Sequence, residues 1–228
     1  MIPLRDDVPS VRIPWVTWSL IAANVLAFLY ELSLGPSLDR FLLAFGVVPA
    51  RFLYFFDYPD ITLAALVVPM FSSLFLHGGW MHLIGNMWFL FIFGDNVEDR
   101  LGHGLYSLFY LGCGLAASGV HILFNLESQL PTIGASGAIS GVLAAYVLFY
   151  PHGRILTLLP IFIFFQLVEI PALVWVGLWF VMQIAGGLLS GPTAGGVAWG
   201  AHVGGFLFGL LVLFRSGRRE RLHGGGTF

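Results

Sequence analysis

Charge is what this chain has least of. Lys and Arg number 10 and Asp and Glu 12, only 10% of its 228 residues, against 58% hydrophobic residues. Soluble domains carry roughly 25% charge, so a water-soluble globular domain is excluded and a polytopic membrane protein is expected. Cysteine is nearly missing as well. Cys113 stands alone in an apolar run, which excludes a disulfide within the chain and leaves a packing residue. No HExxH pattern occurs, so a metalloprotease of that kind is excluded. There is no basic stripe, and the net charge is −2, so nucleic acid is not an expected partner. No internal repeat appears, which argues against an inverted-repeat transporter. Met1 to Ser10 is polar, and neither a cleavable signal peptide nor an Arg-rich transit segment is read there.

What is present is a series of apolar runs. Residues 13–33 form a first span, with Trp15 and Trp18 as interfacial aromatics and Glu31 near the far end. Further spans are expected at about 79–93, 104–124, 135–150 and 197–214, with another inside the long tract from Ile155 to Leu189. Six crossings place Arg5, Arg12, Arg100, Arg154, Arg215, Arg218, Arg219 and Arg221 on one side, and only Arg40 and Arg51 on the other. That asymmetry satisfies the positive-inside rule with both termini cytoplasmic. An extra crossing at Ile61–Leu76 or Ile155–Val168 would break it, so both stretches are expected to be interfacial or partly buried. The expected architecture is therefore an all-α membrane protein, a six-helix bundle. It divides into a cytoplasmic N-terminal segment (1–12), a six-span core (13–214) and a basic cytoplasmic tail (215–228). The segment 34–78 is too long and apolar for a plain solvent loop.

One stretch organises the rest: Gly134-Ala135-Ser136-Gly137-Ala138-Ile139-Ser140-Gly141. It follows a polar break and opens an apolar run, which puts Ser136 in the first turn of a helix. The first N–H groups of a helix have no internal partner, so this serine would have oxyanion-binding amides beside it. Packing is the other reading, because Gly137 and Gly141 make a small-xxx-small pair that lets membrane helices touch. Depth helps to choose. His82 and Asn86 are one turn apart on the second span, and His202 lies roughly 8 Å into the last span at 1.5 Å per residue. With Ser136 they share the outer third of the membrane, where polar groups are costly and functional by default.

None of the twelve carboxylates falls in those helices at the depth of His202. The arrangement points to a Ser–His dyad: Ser136 as nucleophile, His202 as general base, and His82, Asn86 and the Ser136 amide as oxyanion donors. His77 and His82 lack a nearby third ligand, so no metal is expected. Trp175, Trp179 and Phe180, following Pro160 and Pro171, are expected to form a movable wall packed against the second span.

Four motifs together resemble the rhomboid intramembrane serine proteases. They are Gly134-Ala-Ser136-Gly137, Ala201-His202-x-x-Gly205-x-x-x-Gly209, His82-x-x-x-Asn86 and Gly94-x-x-x-Glu98-x-x-x-Gly102. The resemblance covers about residues 13–214. It implies that Gly205 and Gly209 bring the last helix against Gly137 and Gly141. It further implies cofactor-free hydrolysis of peptide bonds in or near transmembrane helices, with single-span membrane proteins as substrates and the bilayer as partner. The expected location is a bacterial cytoplasmic membrane, the site facing its outer side. Some family members carry a tyrosine one turn after the nucleophile, packed on the histidine; here that position is Ser140. A non-catalytic chaperone or adaptor that binds transmembrane helices is the competing class.

Overall fold

The computed structural model describes residues 1–161, 164–189 and 198–223. In chain order its elements are β1 (Ile2–Asp6), α1 (Trp15–Ser33), α2 (Leu38–Phe45), α3 (Pro49–Leu53), α4 (Leu63–Ser72), α5 (Trp80–Leu101) and α6 (His103–Phe124). There follow α7 (Ser136–Phe149), β2 (Arg154–Ile161), β3 (Phe164–Pro171), α8 (Ala172–Leu189) and α9 (Trp199–His223). The protein is mostly helical. Helices α1, α6 and α8 are each long and apolar enough to cross a membrane, while α7 and the apolar part of α9 are shorter. Apolar side chains such as Leu26, Leu108, Leu123 and Leu211 face outward. This is the surface a helical bundle presents to lipid, since its own helices satisfy the backbone hydrogen bonds.

The centre is α7, buried from Gly137 to Val147 and flanked by α5, α6, α8 and α9. Small residues make that possible. A Cβ on Gly205 would land on the Gly137 carbonyl, and one on Gly209 would come within 2.8 Å of the Gly141 carbonyl. Gly141 itself faces Cys113 of α6. Helix contact in a membrane is driven by such close packing rather than by apolar burial.

The Gly94…Glu98…Gly102 motif anchors α1. Pro14 precedes this helix and gives it no side-chain cap, so its first amides need an acceptor from elsewhere. Glu98, 1% exposed, accepts from the N–H groups of Val16 (2.9 Å) and Thr17 (2.8 Å) and from the Thr17 hydroxyl (2.7 Å). His103 Nδ1 lies 2.6 Å from Oε1, the oxygen that also takes the Val16 N–H. A carboxylate buried with this many donors at a helix N-terminus is stabilised rather than stranded. Gly94 leaves room for Thr17 and Tyr106, both near 3 Å from where its Cβ would be. Gly102, at φ +76°, makes the left-handed turn between α5 and α6.

The expectation of an all-α protein needs correction. β1, β2 and β3 form a three-stranded antiparallel sheet in that order, with Ile2 opposite Leu158 and Ile155 opposite Ile170. The tract from Ile155 is rich in β-branched and aromatic residues, and Pro160 disfavours a helix there. Its partner β1 lies some 150 positions away in sequence, so the pairing has no local signal. The sheet sits at the arginine-bearing end. Asp7 accepts from the Arg154 N–H (2.7 Å), Arg12 lies 3.8 Å from Asp99, and Arg100 covers the Phe149 ring. Asp6 accepts from the Tyr146 hydroxyl at 2.6 Å, and its burial pushes the carboxyl up to about 6.

At the opposite end the segment after α1 folds into α2, α3 and α4. A short 3₁₀ turn over Ser73–Phe75 follows, and this arm meets α5 at 78°. Val47 bridges to Thr132, and Gly134 N–H donates to the Ser73 carbonyl at 2.8 Å. The loop is thus built into the wall around Ser136. Glu31, placed near water by its position in sequence, is instead 2% exposed and accepts from the His77 N–H (3.2 Å). The aromatic wall also differs from expectation. Trp175 does pack on Phe89 and Phe93 of α5, but Trp179 and Phe180 turn to Phe206 of α9.

Candidate active site

Four elements converge where α7 begins. Ser136 is the first residue of α7, and its Oγ lies in hydrogen-bond contact with His202 Nε2 of α9 at 2.7 Å. Both ring nitrogens of His202 are engaged, because Nδ1 lies 2.7 Å from Gln183 Oε1 of α8. Trp179 lies against the same ring at 6.0 Å between centroids, and Trp199 meets it edge-on at 6.3 Å. His202 is 8% exposed and Gln183 6%. The pair is therefore shielded from water, and its hydrogen bonds gain strength from the low local dielectric.

His82 approaches from α5. Its Nδ1 accepts from the Gly78 N–H at 3.3 Å, which turns Nε2 toward Gly134. A Cβ on Gly134 would lie 2.7 Å from His82 Nε2 and 3.7 Å from Ser136 Oγ, and the residue has φ +124°. Both constraints demand glycine. Gly134 is what lets the imidazole stand beside the serine. Asn86, 7% exposed, gives its Nδ2 to the His82 carbonyl one turn back at 2.9 Å. That bond braces the start of α5. Ser140 is fully buried, and its hydroxyl donates to the Ser136 carbonyl at 2.7 Å. It is thereby tied to the backbone of its own helix.

The structure thus brings Ser136, His202, His82 and Gly134 together, with Asn86 bonded to the His82 carbonyl. Gly137, Gly141, Gly205 and Gly209 serve the α7–α9 contact described above. A small cavity of about 20 Å³ opens beside Ser136, lined by Ser73, His121, Thr132 and Gly134 among others. Such a space holds roughly one water. Thr132 Oγ1 lies 2.7 Å from His121 Nε2 on its wall. Sequence reasoning missed Gln183. Its spacing to Trp179 on one helix face was the only signal, and it becomes meaningful only once α8 is seen against α9. Residues 190–196, between α8 and α9 and expected outside the membrane, lie outside the described residues.

A serine at a helix N-terminus, hydrogen-bonded to a histidine whose second nitrogen is held, can be deprotonated as it attacks a carbonyl.

Comparison with known proteins agrees with the motifs. The family model of the Rhomboid domain matches residues 65–219. The human Presenilin-associated rhomboid-like protein, mitochondrial, is 32% identical over 195 residues, covering 84% of this chain and 45% of the relative. Its Bos taurus counterpart is 31% identical over 197 residues, covering 85% and 46%. Rhomboid protein 1, mitochondrial, of Saccharomyces cerevisiae is 29% identical over 149 residues, covering 63% and 40%. The chain spans less than half the length of these curated relatives. Their names also overturn the expected bacterial cytoplasmic membrane, since they are mitochondrial proteins of animals and yeast. The physical reason for the error is simple. Arginine asymmetry indicates which end of a bundle faces which side, but carries no information on which membrane the bundle occupies.

Proposed function

The chain belongs to the rhomboid family, and from that premise we propose that it is an intramembrane serine endopeptidase acting on single-span membrane proteins. The observation that carries the reading is the Ser136 Oγ to His202 Nε2 hydrogen bond of 2.7 Å within an apolar bundle. Ser136 Oγ attacks the scissile carbonyl while His202 Nε2 takes its proton. The oxyanion that forms is met by the Ser136 N–H at the start of α7 and by His82, with Asn86 bracing the His82 turn. His202 then returns the proton to the leaving amine, and water hydrolyses the acyl-enzyme by the reverse sequence. No cofactor takes part.

The proposed topology has six spans, formed by α1, α5, α6, α7, α8 and α9, with both termini on the arginine-bearing side. The core runs from about 13 to 214, flanked by an N-terminal segment and a basic tail. β1 ties the first of these flanks to the core, and α9 carries the chain into the second. The host membrane is proposed to be mitochondrial, following the named relatives.

The experiment that tests this reading uses the purified chain in liposomes with a panel of single-span substrates, beside Ser136→Ala. Expected are cleavage by the wild type only and labelling of Ser136 by a fluorophosphonate. A folded chain that neither cleaves nor labels would be a helix-binding chaperone or adaptor instead.

A further inference from the structure

We infer that Gln183 is a positioning residue of this site, holding His202 from α8 in the tautomer that leaves Nε2 free to accept the Ser136 proton. The inference rests on the reading of Ser136 and His202 as nucleophile and base. The amide orientation is fixed by its other contact. Gln183 Nε2 donates to the Trp179 carbonyl at 3.2 Å, and a carbonyl can only accept. Oε1 is therefore the atom facing His202 Nδ1 at 2.7 Å. Oε1 in turn has no proton to give, so Nδ1 must carry the hydrogen. A neutral imidazole protonated at Nδ1 presents a lone pair at Nε2, where Ser136 Oγ sits at 2.7 Å.

Burial makes the contact matter. With Gln183 at 6% and His202 at 8% exposure, water cannot readily replace a lost acceptor. An amide also does the work of a carboxylate without placing an ionised group in the membrane, where charge is costly. This answers what orients His202 where the acceptor at its Nδ1 is an amide and not a carboxylate.

There is a geometric consequence. Ser136, His202 and Gln183 come from three different helices, α7, α9 and α8. The arrangement is complete only while α8 lies on α9, a contact kept by Phe180 stacked on Phe206 at 4.3 Å and by Trp179 against His202. Moving α8 outward withdraws the acceptor from the base.

The test uses the full chain in liposomes with a cleaved single-span substrate, comparing wild type, Gln183→Leu and Gln183→Glu. Gln183→Leu removes the acceptor at similar size. It should lower kcat on the order of 10²-fold, part of what a positioned base contributes, while KM stays near its wild-type value. Gln183→Glu keeps an acceptor at the same reach and should restore most of kcat. A second readout needs no turnover. Nitrogen NMR of histidine-labelled protein in the Ser136→Ala background should show His202 protonated at Nδ1, and a tautomer mixture once Gln183→Leu is added. A folded Gln183→Leu protein with wild-type kcat and an unchanged tautomer overturns the inference. So does a loss of kcat that Gln183→Glu fails to restore while the tautomer stays put, which marks a merely structural residue. If the wild type cleaves nothing, the protease reading fails, and the tautomer still decides the role of Gln183.

Discussion

The carbonyl of Gly137 fills the space that a Cβ on Gly205 would need. This single relationship fixes the distance between the helix carrying Ser136 and the helix carrying His202. The short serine–histidine hydrogen bond depends on it, because the two side chains can meet only if their backbones nearly touch.

Gly205→Ala should therefore destabilise the protein by about 1–3 kcal/mol, the usual penalty for forcing extra volume into a packed interior. Activity should fall with it as α9 is pushed away. Gly119→Ala is the control, since its Cβ would meet nothing within 4 Å. Thermal unfolding of both variants in the same detergent checks the difference. Equal midpoints would remove the packing argument.

Ser136→Ala and His202→Ala should each abolish cleavage while the fold survives. Ser136 opens α7 without capping it through its side chain, and alanine suits a helix. The measurement is cleavage of a reconstituted single-span substrate, paired with an unfolding curve. Residual turnover in Ser136→Ala would show that another group is the nucleophile.

The two polar residues of α5 should separate. His82→Ala removes the imidazole beside Gly134 and should reduce kcat by ~10²–10³-fold, the usual effect of losing one oxyanion donor. Asn86→Ala removes a brace to the His82 carbonyl (2.9 Å) and should do less. Rates of fluorophosphonate labelling would rank them. Asn86→Ala falling below His82→Ala would place the amide at the oxyanion itself.

Asp6 gives a pH signature at the arginine-bearing end. Its carboxyl is raised from 3.8 to about 6, chiefly by burial. Between these values the folded state holds a proton that the unfolded state has released. This group's contribution to stability is therefore most favourable below pH 4, declines as pH rises to about 6, and is constant above. Asp6→Asn cannot titrate. The stability of the wild type relative to Asp6→Asn should fall from pH 4 to 6 and then level off. A difference that is flat over that window would show that Asp6 is not held as described.

Much of this protein was determined by its sequence alone. Scarce charge and long apolar runs settled the solvent, because a helix must satisfy its own backbone in lipid. The positions of α1, α6 and α7 followed from runs of that length. Ser136, His202, His82 and the glycine pairs were legible because polar or missing side chains stand out against an apolar background. Three things were not. The sheet joins β1 to β2 across some 150 residues, and strand pairing at that range leaves no periodic trace. Glu31 looked like an end-of-span charge and Glu98 like one member of a motif, yet both are buried against amides that only the folded chain brings to them. Gln183 read as one polar residue in a greasy tract. Its part at His202 exists only because α8 and α9 lie side by side, a contact made by packing that no local pattern of residues encodes.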